Sequence, residues 1–228
     1  MPRALATMDS APHLKRRLPR ALIWLALIVA IWAIAPPFHV RRLATHPSSS
    51  NVPAAATRTA FDAHGYAQAF WNERLLPAAS HATPLQMLVA ALAKDPASAA
   101  LQYGRRVGLG GKALYFVRGE GRVSSIDRKG VGISIKDQGN VSVVLVTGPI
   151  FGNVLRDATG LLDLGNFSSF DFNSLSTELN RLAESTAQPR LQQVTTGARL
   201  QFLGCADTDS TGGKLLMRIV PVSVDNAP

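Results

Sequence analysis

The chain is poor in the residues on which most covalent and metal chemistry depends. Among 228 residues there is one cysteine, Cys205, and of five histidines only His64 and His81 lie beyond residue 60. A single thiol cannot form an intramolecular disulfide, so a folded domain has to be held by an ordinary apolar core. Within the run LQFLGCA, Cys205 reads as a small buried side chain, because no histidine or lysine cluster beside it favours the thiolate. Two isolated histidines belong to no HExxH or Cys/His set. Phosphate-cradling glycine loops, a G-x-S-x-G elbow and a Ser/His/Asp grouping are missing too. No metal or cofactor is therefore expected, and the enzyme reading is weakened without being eliminated.

Charge is missing altogether from Ala21 to Ala35, ALIWLALIVAIWAIA, soon after Lys15, Arg16, Arg17 and Arg20. The apolar stretch continues across Pro36 and Pro37 to Phe38, and about 18 residues at roughly 1.5 Å each span about 27 Å, close to the hydrocarbon thickness of a bilayer. A transmembrane signal anchor is predicted over 21–38. Arg3 and the four basic residues above precede it, against Arg41 and Arg42 behind it. The tail 1–20 then stays cytoplasmic and everything after Phe38 is exported. The expected location is the bacterial inner membrane, single-pass, with the C-terminal domain in the periplasm. A cleaved signal peptide is the rival, since Ala33-Ile34-Ala35 imitates a cleavage site; Pro36, fixed in φ and without an N–H, disfavours cutting there. No cysteine lies near the segment, so no lipid anchor is expected on it.

Acidic residues are the scarcer sign, 15 against 24 Lys and Arg, for a net charge of +9. The first 42 residues hold seven basic side chains and one acidic, Asp9, so +6 sits there and +3 remains for the rest. Most of the basicity is thus topological, and with export it removes nucleic acid as a partner. One local surplus survives: Arg105, Arg106, Lys112, Arg118, Arg122, Arg128 and Lys129 face only Glu120 and Asp127. On alternating strands such a run reads as a solvated face before it reads as a meeting place for anionic lipid or an acidic partner.

From Ala44 to Thr59 the chain is rich in Pro, Ser and Ala without apolar periodicity, which makes 39–59 a flexible periplasmic tether. A helical subdomain is expected over 60–104. Asp62 is a candidate N-cap for a helix ending before Pro77, Thr83-Pro84 would open a second with Leu85, Leu88, Val89 and Leu92 on one face, and Asp95-Pro96 a third closed by Gly104. Together they suggest a trio around Trp71 and Tyr103. Beyond Gly111 the periodicity changes to two: Ala113 to Ile126, Val131 to Lys136, Val141 to Thr147, Arg199 to Ala206 and Leu215 to Val224 read as strands, with a helix from about Asn173 to Ala187 between the third and fourth. The fold class is α+β, an N-terminal transmembrane helix followed by a small helical subdomain packed on an OB-like, partly open β-barrel, residues 105–228, with one inserted helix.

The run Gly148-Pro149-Ile150-Phe151-Gly152-Asn153-Val154-Leu155-Arg156-Asp157-Ala158, then Leu164-Gly165-Asn166-Phe167 and Leu179-Asn180, resembles a bacterial family known as domain of unknown function 2291, described as predicted periplasmic lipoproteins. Further matches lie at Trp71 to Pro77, Tyr103-Gly104, Gly119-Glu120-Gly121 and Val220-Pro221-Val222. The resemblance implies a small helical subdomain on an OB-like barrel, and genes that tend to accompany sugar ABC-transport operons. It supplies no catalytic residues. The chain departs from the family in two places: a transmembrane helix stands where a lipidated cysteine is common, and Ser168-Ser169-Phe170 stands where the family tends to show an Asn-Gln pair.

Five residues are the candidates for contact with a ligand or partner: Glu120, Arg156, Asp157, Phe167 and Phe170. Arg156 and Asp157, flanked by apolar side chains, have to be exposed, paired or aimed at a ligand; a clamp in which Arg156 bonds loop carbonyls or Glu120 and Asp157 caps the next turn is the plainer account. Glu120 between two glycines marks a bulge or close barrel packing before it marks a carboxylate site. Phe167, Phe170 and Phe172 read as core anchors before a stacking platform. The expected function is a membrane-anchored accessory or binding module of a sugar ABC-transport system, touching its membrane subunits or a periplasmic sugar-binding protein. The alternative is a periplasmic hydrolase or isomerase using Glu120 and Asp157.

Overall fold

Alternation along the strands builds a barrel, and the computed structural model describes it over residues 61–107, 111–162, 167–211 and 213–227. The predicted cytoplasmic tail, membrane-spanning segment and tether, 1–59, lie outside the described residues. Among the described residues no helix is long and apolar enough to cross a membrane.

A two-residue β1 (Thr83–Pro84) precedes five longer strands: β2 (Leu114–Asp127), β3 (Gly130–Ser134), β4 (Val141–Val146), β5 (Arg199–Thr211) and β6 (Lys214–Asn226). These five fall where the period-two runs place them. Each pairs antiparallel with its neighbour except β4 with β6, which is parallel, in the order β2-β3-β4-β6-β5 with β5 returning to β2. The barrel is therefore closed, where the sequence suggested a partly open one. Closure depends on a bend in β2, whose residues Leu114–Arg122 pair with β5 while Arg122–Asp127 pair with β3. Two glycines make the bend possible: a Cβ on Gly121 would lie 2.3 Å from Ile133 Cγ2, and one on Gly119 would lie 2.6 Å from Leu85 Cβ.

Two apolar cores result, because β5 and β6 bury both of their faces. The inner core fills the barrel with Val117, Val123, Ile133, Val143, Leu145, Leu200, Phe202, Met217 and Ile219, and is joined by Leu85, Leu88, Val89 and Leu92 of helix α2 (Leu85–Lys94). The outer core places Leu203, Cys205, Val220 and Val222 against Trp71, Leu155, Leu175 and Leu179. Helix α1 (Ala63–Ala69), its π-helical continuation Phe70–Leu75, the short α4 (Val154–Asp157) and the 23-residue α5 (Ser169–Leu191) supply that second layer. Helix α5 serves both: Leu175, Leu179 and Ala183 lie in the outer core, Ala187 and Leu191 in the inner one.

Several local expectations are revised. The helices do not gather around Trp71 and Tyr103, since Trp71 belongs to the outer core while Tyr103, in α3 (Pro96–Tyr103), packs on the inner one. Thr83 does not cap α2; it is extended and pairs with Val117, because a parallel partner for the β2 edge satisfies its backbone instead. Asp95 does cap α3, accepting from the N–H groups of Ala97 and Ser98. Helix α5 starts before Asn173, at a capping box in which Ser168 and Asp171 bond each other's backbone N–H, and that serine stands where the family resemblance leads one to expect Asn-Gln.

Candidate functional site

Arg156 and Asp157 pair with each other. Arg156 Nε donates to Asp157 Oδ1 at 2.6 Å and a terminal nitrogen donates to Oδ2 at 2.9 Å, with side chains 10% and 7% exposed. The α4 turn permits this fork between adjacent residues. Arg156 further donates to Ser176 Oγ at 3.1 Å and lies 5.0 Å from the ring centroid of Phe172. Phe172 meets Phe167, and Phe167 meets Phe61 and Tyr66, with centroids 5.3 to 5.5 Å apart. Arg156 thus bonds its own neighbour, Ser176 and, at 3.5 Å, the Phe172 carbonyl of α5, instead of Glu120 or a loop carbonyl. Phe170 stands apart from these rings at 78% exposure.

A row of polar side chains on α5, which the sequence reading overlooked, holds the loop before α4. Ser176 bonds Arg156, Asn180 donates to the Gly152 carbonyl at 3.1 Å, Glu184 accepts from Ile150 N–H at 2.6 Å, and Gln188 donates to the Gly148 carbonyl. Spacing of four residues stacks them along one helix face. The sign of this role was legible as a four-residue polar period, but its target was not. Gly148 and Gly152 have φ of +84° and +92°, and between them Ile150 turns into the outer core while Phe151 is 84% exposed. An aromatic side chain is thereby held out in water by a pinned backbone.

Glu120 lies elsewhere, on the outer face of β2 opposite Gln201 of β5. It lines two adjoining grooves of about 390 and 270 Å³ that share Gln86, and neither contains Arg156 or Asp157. The candidates are therefore dispersed: Arg156, Asp157 and Phe167 in one cluster, Phe170 exposed beyond it, Glu120 at the barrel bend. A shared acid and base from Glu120 and Asp157 has no common cleft among these grooves.

The remaining chemistry of the described residues is largely structural. Burial pushes the Cys205 thiol up, with the side chain at 0% exposure. Hydrogen bonds from His64 and Arg181 hold the Glu178 carboxyl below its ordinary range, tying α1 to α5. Lys112, just ahead of β2, and then Arg218, across the β5–β6 ribbon, do the same for Asp209. Every buried side-chain polar atom among the described residues has a partner.

A family model described as "Predicted periplasmic lipoprotein (DUF2291)" matches residues 28–225. A crystal structure of an OB-fold protein from Thermotoga maritima MSB8 is similar with a TM-score of 0.62 and 20% sequence identity, covering 73% of this chain and 99% of that one. Identity at that level speaks for the fold alone. No curated protein matches the chain.

Proposed function

The chain belongs to the DUF2291 family of predicted periplasmic lipoproteins, and from that premise we propose that it is a periplasmic contact module, anchored to the inner membrane, that attends a sugar ABC transporter. The transporter assignment draws on the operon association that the family resemblance implies. The anchor draws on the uncharged run 21–38, and the one cysteine, buried in β5, is not available to carry a lipid. A tether of about 20 residues has an r.m.s. reach near 25 Å, which raises the effective concentration of a membrane neighbour and makes weak surface contact sufficient.

One observation carries the contact reading. Phe151 is 84% exposed on a loop whose backbone is bonded to Asn180 and Glu184. An aromatic ring kept in water by a fixed backbone loses little further freedom on binding, which is the property of an interface anchor. Tagged full-length protein extracted in mild detergent should co-purify with sugar permease or sugar-binding subunits. Phe151→Ala should cut that recovery several-fold with an unchanged melting temperature. Reproducible absence of both classes of subunit would remove the reading.

A further inference from the structure

The bend of β2 carries a second arrangement, independent of the transporter reading. On the outer face of the barrel, Arg122 lies directly opposite Arg199 in the β2–β5 ladder, and Arg118 and Lys136 border the same pair of grooves. Like charges set directly across a ladder repel. Among the described residues none of these four cations forms an ion pair, and the neighbouring Asp225 is taken by Arg190. Arg122 and Arg118 are instead aimed by single bonds, Arg122 to the Gly197 carbonyl at 2.7 Å and Arg118 to the Ala82 carbonyl at 3.2 Å, which leave other guanidinium N–H groups unused. A strand that needed only a solvated surface gains nothing from this placement.

The polar groups around the cations are equally unengaged. Among the described residues, the side chains of Glu120, Gln86, Gln201, Ser134, Lys136 and Arg199 make no side-chain hydrogen bond within the fold; at this face only Arg118 and Arg122 do. The backbone adds to them. Leu114 exchanges both its bonds with Arg105, on the side away from β5, while Val123 bonds Gly197 and Ala198 on the β5 side. By alternation the N–H and C=O of Glu120 point away from β5. They open into the interval between the last β1 pairing, at Arg118, and the first β3 pairing, at Arg122.

We propose that this bend is a binding site for a small hydroxylated oxyanion, a sugar acid or sugar phosphate, whose anionic group lies between Arg122 and Arg199 with Lys136 beside it. Glu120 accepts from the ligand's hydroxyl groups, and Gln86, Gln201 and Ser134 complete the polar lining. The larger groove, about 390 Å³, falls at the lower end of the roughly 300–1,000 Å³ typical of small-molecule sites. Concavity favours a small ligand over a membrane surface, and the single carboxylate among four cations excludes a neutral sugar as the preferred occupant.

The test is isothermal titration of the full-length protein in mild detergent with glucose 6-phosphate, galacturonate, inorganic phosphate and glucose. Both sugar anions should compete for one site, bind about tenfold or more tighter than glucose, and weaken as salt is raised. Glu120→Gln should weaken the sugar anions and leave inorganic phosphate unchanged, which separates the polyol contacts from the anion contacts. Arg199→Gln should abolish binding of all three anions while the melting temperature holds or rises, because it removes a repulsion; Lys136→Gln should weaken them with the stability intact. The proposal is overturned if none of the anions binds, if Arg199→Gln binds them normally, if that variant melts earlier, or if inorganic phosphate alone is bound. Each of these outcomes is independent of whether transporter subunits co-purify.

Discussion

At Asp157 a buried carboxylate answers a buried guanidinium, and the fork between adjacent residues leaves neither charge alone. Removing one partner strands the other in a site from which water is largely excluded. Asp157→Ala should therefore destabilise by about 3–5 kcal/mol in urea unfolding, with Arg156→Met plus Asp157→Leu recovering part of the loss. Glu178 supplies a pH dependence. Its carboxyl is held down by His64 first and Arg181 second, so its folded value lies below the ordinary 4.5. A depressed acid stabilises the fold above its unfolded value and loses that contribution as pH falls through the folded one. Stability should decline from about pH 4.5 downward, and Glu178→Gln should flatten that part of the profile in thermal melts followed by circular dichroism. The pairing of Arg156 with its own neighbour was not legible in the sequence, since adjacent side chains meet only when a turn such as α4 brings them to one side. Phe167 and Phe170 show the same limit. Three positions apart, one joins a cluster of rings and the other faces water, because the helix begins between them.

Period and punctuation in the sequence mark the elements wherever those signals are local. All five strands stand where alternation places them, and Asp95-Pro96 opens its helix as expected. The start of α5 was missed by a turn because its signal, Ser168 with Asp171, is a capping box lying ahead of the apolar stripe. Thr83 failed as a cap for the opposite reason: a long-range partner, β2, captured its backbone. Pro221 sits inside β6 without breaking it, beyond Ile219, the last residue paired with β4, and beside the register shift at Gly204. The bend of β2 is the most consequential local feature. Gly121→Ala would bring a Cβ to 2.3 Å from Ile133 Cγ2 and 3.0 Å from the Ser134 carbonyl, so the β2–β3 pairing has to shift. A loss of about 1–3 kcal/mol is expected, with amide exchange accelerated in β3 before it changes in α1.

For the whole molecule, the decisive feature is that α5 belongs to both cores. Leu179 anchors its outer half and Leu191 its inner end, so neither layer can open without disturbing the other. Leu179→Ala should cost about 2–5 kcal/mol and lower protection in β3 as well as α1 in native-state hydrogen exchange. Independent loss of protection in the two layers would show that α5 does not couple them. The sequence by itself determined composition and local pattern: the uncharged run ahead of the domain, the absence of metal and cofactor motifs, the strand positions and the family. These follow from which residues are near one another in the chain. Only the tertiary structure decided that the barrel closes, that Glu120 and Asp157 lie apart, and that Arg122 faces Arg199. Each of those depends on the register of β2 against β5, which pairs residues more than 70 positions apart, and register is fixed by burial across the finished barrel.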